Sequence, residues 1–295
     1  MLLLPLAVSL ALGALVVPVA LRTLRRQGHV RENYRGAPVA FPAGVAIAAT
    51  AVLALVPLTA IDLLAGGAGV IRPGAEAAVT YVIGVSLLGL LDDLLGDRAP
   101  PAPSGRPAAA EPPRGWRGHA RALARGAPST GALKALGALG LALLVLSGPE
   151  LAGPLRAGEY LLATAVLVLA TNLFNLLDLR PGRSIKALAL LGVGLTVGSF
   201  DLDPLWTLGL FLGPILVLAP IDLREQGMLG DAGSNAIGAV AGLWLVLALS
   251  PAGQAVALAL IAAATVYGEF RSISALIERT PGLRHLDSLG RMRHA

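Results

Sequence analysis

Four aspartates stand at the ends of apolar segments long enough to cross a membrane. Leu90-Leu-Asp92-Asp93-Leu-Leu-Gly96 closes one segment, Asn175-Leu-Leu-Asp178 closes another, and Gly230-Asp231-Ala-Gly-Ser234 opens a third. Carboxylates near lipid are costly and scarce, so acids at the rim of a helix bundle point to a site more than to packing. Hard carboxylate oxygens in a chain without cysteine and without a histidine cluster suit Mg2+, with Mn2+ as the alternative. Mg2+ commonly takes one or two carboxylates and completes its shell with substrate phosphates. Lys134, Arg183, Lys186 and Arg35 are placed to neutralise the rest of a diphosphate. The chemistry these residues allow is metal-assisted handling of a phosphorylated substrate where a lipid can reach it.

Each motif also has a plainer explanation. Asp92 and Asp93 point about 100° apart on a helix, so they cannot both face one small ion. As carboxylates at a helix C-terminus they oppose the dipole, an awkward placement without a cation. Asp231 and Ser234 open a span, where N-capping alone accounts for either. Capping leaves the flanking Gly230 and Gly233 unexplained, because glycine lets backbone approach a ligand and free N–H groups at a helix start suit phosphate. Asn172, Asn175 and Asp178, spaced i, i+3, i+6, are expected to share roughly one face. Interhelical hydrogen bonds are the alternative to ligand contact for them. The turn Arg180-Pro-Gly-Arg183-Ser-Ile-Lys186 follows directly.

The elements that must carry these residues are membrane helices. Of 295 residues, 55% are hydrophobic, and the mean hydropathy is +0.74. That is too apolar for a soluble fold of this length. The Leu/Ala/Val/Gly runs lack the alternation of a membrane barrel, which leaves an all-α polytopic bundle. Nine spans are expected, at 2–21, 40–64, 76–94, 130–147, 158–177, 185–199, 204–220, 232–249 and 252–272, with those at 185–199 and 204–220 short. Arg22, Arg25 and Arg26 follow the first apolar stretch instead of preceding it, which predicts a retained anchor with the N-terminus outside. With that orientation only Arg72 and Arg156, of 23 Lys and Arg, fall in outer loops. The C-terminus is then cytoplasmic, and all four aspartates come out on the cytoplasmic face.

The whole chain, 1–295, reads as a single integral membrane domain. Its longest cytoplasmic loop, 95–129, begins Pro/Ala-rich and disordered in character. It ends in Trp116-Arg-Gly-His119-Ala-Arg121, whose spacing fits a helix lying along the interface. The cytoplasmic tail covers 273–295. A net charge of +5 is better explained by helix ends meeting anionic headgroups than by nucleic acid, since no basic-aromatic module is present.

In this order the motifs resemble those of the polyprenyl-phosphate N-acetylhexosamine-1-phosphate transferases, the family whose phospho-N-acetylmuramoyl-pentapeptide member starts the lipid stage of peptidoglycan. Asp92-Asp93 is similar to its Asp-Asp motif, and Asn172-Leu-Phe-Asn175-Leu-Leu-Asp178 to the start of its Asn-Leu-Thr-Asp-Gly-Leu-Asp-Gly motif. Met228-Leu-Gly230-Asp231-Ala-Gly-Ser234 resembles its Phe-Met-Gly-Asp-x-Gly-Ser motif. Asn33-Tyr-Arg35-Gly-Ala-Pro38 through Pro42-Ala-Gly44 is similar to its first cytoplasmic loop, and Lys134 matches a lysine near the diphosphate. The resemblance implies a Mg2+-dependent enzyme of the plasma (inner) membrane. Such an enzyme passes a sugar-1-phosphate from a UDP-sugar to undecaprenyl phosphate, with release of UMP, for cell-envelope glycan synthesis. It implies Asp231 as the metal ligand, with Asp92 and Asp93 positioning or activating the lipid phosphate. Lys134, Asn172, Asn175, Asp178, Arg183, Gly230 and Ser234 are then expected at the substrate. A homodimer is a further expectation from the family.

The departures bear on the donor. Pro181 replaces the second aspartate of Asp-Gly-Leu-Asp-Gly. Met228 stands where the family has an aromatic residue before Met-Gly-Asp. Arg279-Thr-Pro281-Gly-Leu-Arg284-His285 stands in place of a histidine-rich motif. The metal half of such a site is retained and the nucleotide half is rebuilt, so another donor is the expectation. A non-catalytic paralogue that binds lipid phosphate or partner proteins is the alternative. A transporter would need polar groups near mid-span, whereas here they gather at one rim.

Overall fold

In the computed structural model, residues 2–96 and 129–291 are described. The expected disordered loop and its interfacial helix therefore lie outside the described residues, apart from the loop's ends. All nine expected spans are helical. The chain runs α1 (Leu4–Arg26), a hairpin of β1 (Val30–Glu32) and β2 (Pro38–Ala40), α2 (Val45–Leu64), α3 (Ala75–Leu95) and α4 (Thr130–Leu146). It continues through α5 (Pro149–Ala152), α6 (Ala157–Leu177), α7 (Arg183–Ser199), α8 (Asp203–Leu223), α9 (Gly230–Ala248) and α10 (Pro251–Phe270), and ends in α11 (Ile273–Arg279) and α12 (Pro281–Ser288). Seven of these, α1, α2, α3, α6, α8, α9 and α10, are long and apolar enough to cross a membrane. The expectation of a short span at 204–220 is corrected. That helix starts at Asp203 with proline in its first turn and runs on to Leu223, 21 residues in all. The span expected to be short at 185–199 is so, α7 having 17 residues, and α4, also of 17 residues, is the short helix that was not expected.

Helix α9 is the axis of the bundle. Every residue from Ala232 to Val246 is buried, and α3, α6 and α7 pack along it. Its composition makes that possible. Gly238 and Gly242, one turn apart, present bare backbone to Thr171, Ala170 and Leu167 of α6, where added Cβ atoms would lie within about 3.2 Å of those residues. Small residues at i and i+4 are how membrane helices approach without a hydrophobic driving force between them. The same device joins α8 to α1. Gly209 and Gly213 face Leu6, Ser9 and Leu10, and the Ser9 hydroxyl donates to the Gly209 carbonyl at 2.8 Å.

The small hairpin between α1 and α2 is tied to the segment leading into α9. Its strands pair antiparallel, with Arg31 opposite Val39. Asn33 Oδ1 closes its turn by accepting the N–H groups of Arg35 and Ala37. Beyond the hairpin, Met228 donates to the Ala40 carbonyl at 2.9 Å, Ala43 to that of Met228 at 2.7 Å and Gly44 to that of Leu229 at 3.0 Å. Gly44 lies directly against Gly233, leaving no room for a side chain on either.

Candidate functional site

The C-terminal turn of α3, the first turns of α4 and α9 and the last turn of α6 meet at one end of the bundle. Glycine permits the approach of α3 to α9: a Cβ on Gly89 would collide with the Asp231 carbonyl. The Ser86 hydroxyl, one turn earlier on α3, donates to the Ala232 carbonyl at 3.0 Å. Five of the sequence-expected residues, Asp92, Lys134, Asn175, Asp231 and Ser234, form one hydrogen-bonded cluster here. Lys134 Nζ donates to Asp92 Oδ2 at 3.0 Å and to Asp231 Oδ2. With its amide oriented so that donors meet acceptors, Asn175 Nδ2 donates to Asp231 Oδ1 and to Ser234 Oγ, both at 3.0 Å. Its Oδ1 then accepts from Lys134 Nζ at 3.0 Å. Two carboxylates and an amide oxygen therefore surround a single cation, which here is the lysine ammonium. Lys134 and Asp92 are each about one-fifth exposed and Asp231 somewhat more, so the cluster is screened without being sealed.

Asp93 points elsewhere. Its carboxylate accepts the backbone N–H groups of Asp231 at 3.0 Å and Ala232 at 2.9 Å, and it is 5% exposed. Leu229, at the N-cap position of α9, offers no side-chain cap. A carboxylate from another helix thus satisfies donors that would otherwise be orphaned, at the end where the helix dipole favours negative charge. Gly230, with φ +69°, makes the turn into α9. A side chain there would meet Asp93 Oδ2 at 2.7 Å and Pro42 at 2.8 Å.

Other expected residues are placed differently. Asn172 is exposed and makes no hydrogen bond to a described residue, so the expected shared face with Asn175 and Asp178 is corrected. Six residues at 100° each leave Asn172 and Asp178 about 120° apart on the helix. Asp178 closes α6 and receives the Ser184 hydroxyl at 3.5 Å. Burial, then the negative charges of Asp222 and Asp231, push its carboxyl well above the usual carboxylate range. Arg183, buried to 5% exposure, does not face the cluster. It grips Asp287 of α12 through two nitrogens, at 3.0 and 3.2 Å, and donates to Ser274 at 3.0 Å. Lys186 donates to the carbonyls of Leu286, Asp287 and Leu289, and Arg180 pairs with Glu278 at 3.3 Å. The cations expected to neutralise a diphosphate from the 180–186 turn are thus engaged by the C-terminal helices.

Three acids escaped the sequence reading. Asp222 accepts the Gly182 N–H at 2.6 Å and pins the basic turn, Asp287 holds the tail, and Glu225 receives three residues of the hairpin. The one signal for Glu225 is its position in Arg224-Glu225-Gln226, a polar run between a span and the Gly230-Asp231 motif.

Asp92, Asp231 and Asn175 supply hard oxygen donors of the kind that suit Mg2+ or Mn2+, and they already converge on one cation. Among the described residues no group of three or more His, Cys, Asp or Glu could hold a metal, so waters or phosphate oxygens would complete the shell of a divalent ion held by Asp92 and Asp231. Neither the protein-family models nor the curated proteins compared with this chain match it.

Proposed function

We propose that the chain is a phosphoglycosyltransferase-like membrane enzyme. It passes a sugar-1-phosphate from a nucleotide-sugar, a UDP-sugar in the first instance, to a polyprenyl phosphate. The observation that carries this reading is the convergence of Asp92, Asp231, Asn175 and Lys134 on one point at the end of the bundle. In the proposed topology α4 and α7 cross along with the seven longer helices, the N-terminus lies outside, and the cluster opens to the cytoplasm. The skew of basic residues toward that face supports this orientation.

Asp231, with Asp92, would hold Mg2+ or Mn2+, which when bound supplies charge neutralisation to the phosphates. Lys134, released from the carboxylates, turns its ammonium to a phosphate oxygen, while Asn175 and Ser234 orient the groups around Asp231. Asp93 keeps the first N–H groups of α9 in line. Phosphoryl transfer of this kind relies on positioning and charge neutralisation more than on a strong base. The site sits at helix ends within reach of a lipid headgroup.

A second reading, a non-catalytic paralogue that binds lipid phosphate, draws on a different observation. Lys134 already neutralises both carboxylates, and Arg183 and Lys186 are engaged by the tail. One experiment separates the two readings. Detergent-purified protein is given undecaprenyl phosphate, Mg2+ and a panel of UDP-sugars, and UMP release is followed, with Asp231→Asn as control. Release that disappears in the variant supports the transferase and names its donor. Lipid-phosphate binding with no release from any sugar favours the paralogue.

A further inference from the structure

Glu225 lies six residues before Asp231, in the segment that joins α8 to α9. It is a non-glycine residue with φ +55°. Side chains reach that left-handed region only against a steric cost, and such strain persists where surrounding contacts over-determine it. The contacts are present. The Glu225 side chain is only 8% exposed, and its carboxylate receives Asn33 Nδ2 at 2.7 Å, the Tyr34 hydroxyl at 3.2 Å and Arg35 Nε at 3.3 Å. Three consecutive residues of the hairpin turn thus converge on one acid. Arg25, at the end of α1, adds a bond to the next carbonyl, that of Gln226. From there the backbone is stitched to the hairpin at Gly227, Met228 and Leu229, and Gly230 then turns against Phe41 and Pro42 into Asp231.

We propose that Glu225 is a positioning residue for the site: by locking the hairpin to the 226–230 segment, it fixes the direction in which Asp231 presents its carboxylate. The inference rests on the reading of Asp231 as the site's central acid. Most of the packing of α9 against α3 and α6 does not need this clamp, because the buried run of α9 extends from Ala232 to Val246. What the clamp sets is the path of the five residues between Glu225 and Asp231. A displacement of about 1 Å at a reacting group is enough to lower a rate a hundredfold.

The test uses full-length protein in detergent and Mn2+ alone as the probe. Mn2+ affinity is read by electron paramagnetic resonance, amide exchange by mass spectrometry over 226–231, and melting temperature in parallel. Glu225→Gln keeps the size and loses the charge, Glu225→Gly relieves the backbone and removes the clamp, and Glu225→Asp is the conservative variant. Glu225→Gln and Glu225→Gly should weaken Mn2+ binding about tenfold, the loss that follows removal of a residue that orients a metal ligand. Exchange over 226–231 should quicken, Glu225→Gly should melt no lower than wild type, and Glu225→Asp should recover part of the affinity. Unchanged Mn2+ affinity in Glu225→Gln and Glu225→Gly overturns the proposal, whether or not exchange quickens. Asp231→Asn reports on the underlying reading. If that variant binds Mn2+ as wild type does, Asp231 is not the central acid and both readings fall; if it does not, the Glu225 variants decide the inference alone.

Discussion

Asp93 holds Asp231 from behind. Its carboxylate accepts the N–H of Asp231 at 3.0 Å and of Ala232 at 2.9 Å, while its neighbour Asp92, about 100° round the same helix, faces Lys134. Two adjacent acids therefore do different work: one supplies the missing cap of α9, the other shares a cation with the residue that α9 carries. The pair is a joint between two helices with one free face.

Substitution should separate the two. Asp93→Asn loses the charge and turns an amide donor toward one of the two N–H groups. Hydrogen bonds to a charged group are worth about 1.5–3 kcal/mol, so a drop of several degrees in melting temperature is expected. Asp92→Asn leaves Lys134 with Asp231 and Asn175 and should melt close to wild type, with its effect confined to turnover. Thermal unfolding of both variants in one detergent checks this, and equal melting temperatures for Asp93→Asn and wild type would sink the capping role.

Lys134 and a divalent ion compete for the same oxygens. Lys134→Met should therefore strengthen Mn2+ binding in the absence of substrate, since the ammonium no longer neutralises Asp92 and Asp231. UMP release should fall by about two orders of magnitude or more, because a cation aimed at transition-state charge is lost. Weaker Mn2+ binding in Lys134→Met would mean that the lysine organises the carboxylates instead of competing for them.

The cluster was legible in the sequence to the extent that it depends on helix ends. Asp92, Lys134, Asn175 and Asp231 each sit within a turn or so of the end of an apolar run, and the alternation of the expected spans puts those ends on one side. What the sequence could not carry is everything set by contacts between distant segments. Asp93 caps a helix more than 130 residues away, which no spacing rule anticipates. Arg183 reads as a free cation until Asp287, 104 residues on, is placed against it. Asn172 fails for a local reason, the 120° that six residues accumulate on a helix. Glu225 carries no motif beyond a short polar run, and its positive φ and three partners are visible only in the structure.

Asp178 predicts a pH-dependent gain. Its carboxyl is raised by burial and by the charges of Asp222 and Asp231, so the folded protein binds a proton more tightly there than the unfolded chain does. The stability this proton confers is full below the ordinary carboxylate pKa and is lost as pH rises through the raised value. Asp178→Asn should then melt higher than wild type at neutral pH, with the difference shrinking toward pH 4, while UMP release falls. A melting difference independent of pH would assign the effect to packing.

The tail should behave as a strap held by one acid. Burial alone would raise the Asp287 carboxyl, but the Arg183 hydrogen bonds and the charges of Arg183, Arg291 and Lys186 outweigh it and hold the carboxyl below the usual range. That stabilisation is present above the ordinary carboxylate pKa and is lost only as pH falls through the lowered value, so the strap stays closed across neutral and mildly acid conditions. Asp287→Asn leaves Arg183 buried opposite a neutral amide, and breaking such a pair from one side costs about 3–5 kcal/mol. Trypsin should then cut rapidly after Arg279 and Arg284 in Asp287→Asn and slowly in wild type at neutral pH. The double variant Arg183→Met with Asp287→Leu removes both charges together and should resist trypsin better than Asp287→Asn. If Asp287→Asn is cut no faster than wild type, the carbonyl contacts of Lys186 are sufficient to hold the tail and the ion pair is incidental.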